Sequence, residues 1–103
     1  DILLPDATAF CGGISQWRKI AAIAEAFQVP VAAHIGDMAH IHCVAGVPNG
    51  LIVEVFMPLD KGRRMYEVNP LVFPNEDGLL EVPEKAGLGI ELNEDYIKRQ
   101  LQE

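Results

Sequence analysis

Three ionisable residues stand where apolar runs of the chain end. Asp6 follows residues 2–4, His34 follows residues 29–33, and Glu54 lies near the end of residues 51–55. In parallel α/β folds the ligand binds outside the carboxyl ends of the strands. A carboxylate beside an imidazole has a definite use there. It accepts a hydrogen bond from one ring nitrogen, fixes the tautomer, and stabilises the cation formed when the other nitrogen takes a proton. His34 is therefore a candidate general base, with Asp6 orienting it. Glu54, at an apolar strand end, is expected to be partly desolvated; its protonated form would donate a hydrogen bond to an anionic substrate. One such residue alone is commonly a loop cap or an ion-pair partner. Three at matching ends of successive strands favour a shared site.

Other constellations are weaker. His34, Asp37, His40 and His42 are metal-ligand residue types. They do not form the HExxH pattern, and His40 and His42 face different sides of any helix. Cys11 and Cys43 are far apart and form no CxxC. They read as two reduced, buried thiols rather than a disulfide or a nucleophile.

The elements that must position these residues alternate regularly. Residues 2–4 are a short, fully apolar run of the kind buried on both faces of a parallel sheet. Gly12 and Gly13 punctuate a loop. Residues 15–27 turn helical: Ile14, Trp17, Ala21 and Ala24 recur at helical spacing, while Arg18, Lys19 and Glu25 fall off that stripe. Ser15 is the expected N-cap. Pro30 disfavours helix at Val29, so the helix stops near Gln28. Residues 29–33 form the second strand. Gly36 and Asp37 break the chain, and Asp37 can cap a helix over 38–47 that ends at Pro48-Asn49-Gly50. Residues 51–55 form the third strand. Strand, helix, strand, helix, strand is the pattern of βαβ units and a parallel sheet.

The remainder differs. A Pro-rich stretch over 69–74 leads to a turn at 75–78, a short strand over 79–82 and a loop over 83–89. A last helix over 93–101 has Asn93 as cap, Glu94 and Asp95 in its first turn, and Lys98 and Arg99 near its end. Tyr96, Ile97 and Leu101 give it a narrow apolar face, as in a segment that docks on something else.

Composition excludes several classes. The chain has 103 residues, half of them hydrophobic and 22% charged, which suits a small globular domain. Its formal charge of −7 argues against nucleic acid as a partner, because phosphate binding needs clustered Lys and Arg. The one basic cluster, Lys61, Arg63 and Arg64, reads as a solvated loop. No apolar run approaches the ~20 residues of a membrane span, and no signal peptide is legible. A cytoplasmic location is expected. The chain starts at Asp1 inside an apolar run, which points to a truncated sequence.

The motifs together resemble a known family. Pro5-Asp6, Gly12-Gly13-Ile14-Ser15, Ala24-Glu25-Ala26-Phe27, Val31-Ala32-Ala33-His34, Val47-Pro48-Asn49, Glu54, Asp77-Gly78 and Gly87-Leu88-Gly89-Ile90 are similar to the C-terminal third of the mandelate racemase group of the enolase superfamily. The resemblance implies the last three β/α units of a modified TIM-type (β/α) barrel in residues 1–68. Residues 69–103 would be a return segment that packs on a capping domain absent from this chain. It also implies that Asp6 and His34 form the general base that removes the proton α to a carboxylate. Glu54 would hydrogen-bond the substrate carboxylate, and Mg²⁺, bound by carboxylates of earlier strands, would stabilise the enediolate.

The implied activity is acid-sugar dehydration by a complete enzyme, expected to be a homo-oligomer, with this chain inactive by itself. Alternatives are a racemase or epimerase of 2-hydroxy acids, or a non-catalytic small α/β binding module. The 20-position spacing of His34 and Glu54 fits the family. The loop between Asp6 and Gly12 is one residue longer than its pattern, which places a shift of Asp6 or a bulge in question. Ala33, Gln28 and Ala86 stand where Pro, Gly and Pro are common in relatives.

Overall fold

The computed structural model describes residues 1–35, 37–55 and 72–102. The break expected at Gly36, the basic cluster of Lys61, Arg63 and Arg64, and the junction near residue 69 lie outside them.

A short strand, β1 (Val31–Ala33), is buried along its whole length. It pairs in parallel with β2 (Gly50–Val53), matching Val31 to Gly50, Ala32 to Ile52 and Ala33 to Val53, with one irregularity after Val31. On its other side Leu3 forms a parallel bridge to Val31. The Leu3 N–H donates to the Pro30 carbonyl at 3.0 Å, and the Ala32 N–H donates to the Leu3 carbonyl at 2.8 Å. The three expected strands thus lie side by side, although the first is a single bridge. Its burial differs from expectation: Ile2, Leu3 and Leu4 are all exposed. Among the described residues nothing pairs with the outer edge of this segment, so only its β1 side is covered.

Helix α1 (Ile14–Ala26) packs Trp17, Ala21 and Ala24 into a core with Ala7, Val31 and Cys43. Three of the four stripe residues are buried, while Ile14 is exposed. The N-cap is Gly13, not Ser15, and no side chain caps the helix. Gly12 and Gly13 both have positive φ, so the chain turns at the glycines and enters the helix at once. Trp17 is completely buried, and its indole N–H donates to the Pro5 carbonyl at 3.0 Å. That bond fastens the helix to the chain just before Asp6.

The end of α1 closes as a Schellman turn. The Val29 N–H reaches the Ala24 carbonyl, and the Gln28 N–H reaches the Glu25 carbonyl. Such a turn needs a left-handed residue, and Gln28 occupies that place at φ 58°. Gln28 thus holds a left-handed conformation that its side chain disfavours, at the position where the family resemblance leads one to expect Gly.

Helix α2 (Met38–Ala45) starts at Asp37, whose side chain accepts the His40 N–H at 2.9 Å, as expected of an N-cap. It ends at Gly46, short of the expected residue 47. Gly50 begins β2 so close beneath α2 that a Cβ there would collide with the Val44 carbonyl oxygen. Asn49 does more than turn the chain. Its side-chain amide donates to the Ala21 and Val29 carbonyls, both at 3.0 Å, and so joins α1 to the start of β1.

Beyond the undescribed segment, Asn75 organises the expected turn. Its side chain accepts the Asp77 and Leu79 N–H groups. Residues 79–82 form no strand, contrary to expectation. Gly78, Leu79, Leu80 and Val82 instead line an apolar cleft with Ile41, Val44, Leu51 and Val53. The Leu88 carbonyl lies 3.1 Å from His42 Nε2, which ties the tail to α2. Helix α3 (Glu94–Gln100) is capped by Asn93, which accepts the Tyr96 N–H. Of its expected apolar face Tyr96 is buried, Ile97 is half-buried and Leu101 is exposed.

Candidate active site

Asp6, His34 and Glu54 each stand just past the carboxyl end of their strand segment, and the parallel pairing brings all three to one edge of the sheet. The His34 N–H donates to the Pro5 carbonyl, and the Glu54 N–H to the Ala33 carbonyl. The backbone itself therefore sets the three residues in a row.

Asp6 is buried, and its oxygens are divided between two tasks. Oδ1 accepts from the Thr8 N–H at 2.8 Å, the Ala9 N–H at 2.9 Å and the Thr8 hydroxyl at 3.0 Å. Oδ2 lies 3.2 Å from His34 Nδ1. Burial alone would push the Asp6 carboxyl up. The hydrogen bonds from Ala9, His34 and Thr8 outweigh it and hold the group at about 2. An ionised carboxylate only accepts, so Nδ1 of His34 carries the hydrogen, and in the neutral ring the lone pair is on Nε2. The His34 side chain is 38% exposed, enough for a substrate to reach it. The loop between Asp6 and Gly12 closes back on Asp6, with the Phe10 and Cys11 N–H groups donating to the Asp6 carbonyl.

Glu54 is half-buried, and its Oε2 accepts the Ile35 N–H at 3.1 Å. Ile35 has φ 62°, a left-handed conformation that is costly for a β-branched residue. The carboxylate of one strand end thus holds the strained turn that follows His34 on the next. Phe10 is 80% exposed, and its ring stands 6.2 Å from the His34 ring, tilted by 51°.

The histidines of α2 do not gather with His34. His40 is completely buried, and its Nε2 accepts the Ala7 N–H at 2.8 Å. His42 turns instead to Leu88. Among the described residues no group of three His, Cys, Asp or Glu side chains is arranged to hold a metal ion. The metal-type reading of the α2 histidines therefore gives way to hydrogen bonding. Both cysteines are free, Cys43 buried and Cys11 half-buried. Burial, with Asp6 beside Cys11 and Asp37 beside Cys43, pushes both thiols up, away from the reactive thiolate.

Sequence reasoning missed His40 and Phe10 as neighbours of the site. For His40 a signal was present: it lies three residues after the capping Asp37, between the apolar Ala39 and Ile41, so an imidazole there must find partners inside. Phe10 carried no such signal.

Residues 1–96 match the family described as enolase C-terminal domain-like. This chain belongs to that family. It is 35% identical to a D-xylonate dehydratase of Haloferax volcanii over all of this chain and 26% of the relative. A mandelate racemase/muconate lactonizing enzyme from a marine actinobacterium, solved in complex with magnesium, superposes with a TM-score of 0.80. That match has 30% identity and covers 96% of this chain and 28% of the other. An L-talarate dehydratase from Polaromonas sp. JS666, complexed with Mg and L-glucarate, superposes at 0.75 with 32% identity, over 95% and 25%. The chain spans about a quarter of the length of these relatives.

Membership in the enolase C-terminal domain-like family makes the parallel α/β arrangement part of a barrel-type domain. The metal of the solved relatives finds no fit among the described side chains here. Asp6 has both oxygens engaged, and Glu54 holds the Ile35 amide.

Proposed function

We propose that this chain is the C-terminal part of a Mg²⁺-dependent acid-sugar dehydratase, and that Asp6, His34 and Glu54 are its share of the active site. The observation that carries the reading is the Asp6–His34 contact of 3.2 Å at the carboxyl ends of adjacent parallel segments. Likeness to D-xylonate and L-talarate dehydratases supports the substrate class.

In this reading His34 Nε2 takes the proton α to the substrate carboxylate. Asp6 keeps the other nitrogen protonated and stabilises the ring as it becomes charged. Glu54 lies beside the substrate carboxylate and steadies the turn after His34. The magnesium ligands belong to parts of the enzyme outside this chain. In the same reading residues 1–68 belong to the last three β/α units, and residues 69–103 are a return segment that packs on the capping domain. The acidic chain, at −7, repels an anionic substrate unless a bound cation offsets the charge, which supports the magnesium assignment.

The test is turnover by the complete enzyme. With Mg²⁺ it is expected to dehydrate one or more sugar acids, and His34→Asn is expected to lower kcat by about 10³-fold or more while sparing Mg²⁺ binding. Full activity in the His34→Asn enzyme, or no turnover across a panel of sugar acids, overturns the reading. Exchange of the α-proton with inversion and no loss of water would favour a racemase.

A further inference from the structure

We propose that His40 is a positioning residue for the Asp6–His34 pair, acting through the Ala7 amide. This rests on the function proposed above and goes beyond it, since the hydrogen bond of the His40 ring is to the loop after Asp6 and not to His34.

A loop of five residues, 7 to 11, joins Asp6 to the Gly12–Gly13 turn. Its five N–H groups, from residues 7 to 11, all have partners. Thr8 and Ala9 donate to the Asp6 carboxylate. Phe10 and Cys11 donate to the Asp6 carbonyl. Ala7, buried and adjacent to Asp6, donates to His40 Nε2 at 2.8 Å. Four of the five therefore bind Asp6 itself, and His40 takes the fifth from a separate element. With His40 removed, the Ala7 amide would need another acceptor, and the Asp6 carboxylate lies 3.6 Å from the place of Nε2. A pull of the amide on that carboxylate would compete with the 3.2 Å contact to His34. A buried amide without a partner is costly, so the loop would reorganise rather than leave it unpaired.

His40 is itself held. It is wholly buried on α2, where Asp37 both caps the helix and places Oδ1 3.1 Å from Nδ1, though off the line of a directed hydrogen bond. Burial opposes charging of this ring, while the Asp37 and Asp6 carboxylates favour it and carry the net direction upward. The hydrogen bonding points the other way. A doubly protonated ring would set its Nε2–H against the Ala7 N–H at 2.8 Å. We assign the neutral ring with its hydrogen on Nδ1, because a donated amide requires a lone pair.

The test compares three variants in the complete enzyme. His40→Phe fills the volume and removes the acceptor. His40→Gln sets a carbonyl oxygen near the place of Nε2. His40→Asn carries an amide too short to reach Ala7. His40→Phe and His40→Asn are expected to lower kcat by about tenfold to a hundredfold, the scale of an ångström-level misplacement of a catalytic group, with KM changed less than about threefold. His40→Gln is expected to recover most of the loss. Deuterium uptake in the peptide covering residues 6–11 should quicken in the Phe and Asn variants and stay slow in the Gln variant. Should His40→Phe fail to fold, the Gln and Asn pair decides the matter. Wild-type kcat in the Asn variant, or equal loss in Gln and Asn, overturns the positioning role and leaves only packing. If the wild-type enzyme dehydrates no sugar acid, the proposed function fails separately. The exchange arm still decides His40: unchanged uptake in His40→Asn overturns its hold on the loop.

Discussion

At the scale of single residues, Asp6 does the most with the fewest atoms. One oxygen organises its own loop and the other faces His34. Its depressed carboxyl, at about 2 against an ordinary 3.8, makes stability depend on pH with a definite sign. A carboxylate whose folded value is lowered contributes stability above its unfolded value, and that contribution vanishes as pH falls through the folded value. The gap corresponds to about 2 kcal/mol. Comparing denaturant unfolding of the wild type with Asp6→Asn should therefore show a difference of about that size at pH 6. It should shrink between pH 4 and pH 2. A constant difference over that window would mean that Asp6 acts by shape alone. In the complete enzyme the same substitution should lower kcat about a hundredfold or more, because the neutral amide neither fixes the His34 tautomer nor stabilises its cation.

At the scale of elements, two positions show how the chain accepts local strain to fit the whole. Gln28 occupies a left-handed place at the end of α1 although it is exposed. Gln28→Gly should stabilise the protein by about 1 kcal/mol, read as a raised melting temperature, since no packing is lost. Gly50 shows the opposite case, because a Cβ there collides with the Val44 carbonyl. Asn49, read in the sequence only as part of a turn, joins α1 to β1 through two hydrogen bonds. Asn49→Ala would leave two carbonyls without their donor and should cost about 2 kcal/mol. Stability unchanged by that substitution would mean that water replaces the amide there.

At the scale of the whole molecule, the exposed apolar residues follow a pattern. Ile2, Leu3 and Leu4 line one outer segment of the sheet, and Leu51 and Ile52 are exposed on β2. An unpaired apolar strand edge is a template for association. The purified 103-residue chain should therefore self-associate and turn over no sugar acid with Mg²⁺. A monodisperse monomer in analytical ultracentrifugation, or measurable turnover by this chain, would count against the proposed barrel partners. The apolar run of residues 2–4 reads as a strand buried on both faces, whereas the segment makes a single bridge and its side chains are exposed. Such runs report the environment the segment is built for, whereas the described structure covers one side.

Periodicity and punctuation in the sequence by themselves determined the order of elements: α1 from the Trp17–Ala21–Ala24 stripe, α2 from the Asp37 cap, and α3 from the Asn93 cap. These are local signals, set by side-chain spacing and by hydrogen bonds within a few residues. The sequence also placed Asp6, His34 and Glu54 at strand ends, since an apolar run that stops at a charge marks its own boundary. Beyond the expected pairing of Asp6 with His34, tertiary structure alone decided what those residues touch. That Glu54 holds the Ile35 amide, that the Ala7 amide points into His40, and that Leu79, Leu80 and Val82 line a cleft instead of joining a sheet are contacts between distant segments. Register and helix rotation fix such contacts, and neither is written in any short stretch of chain.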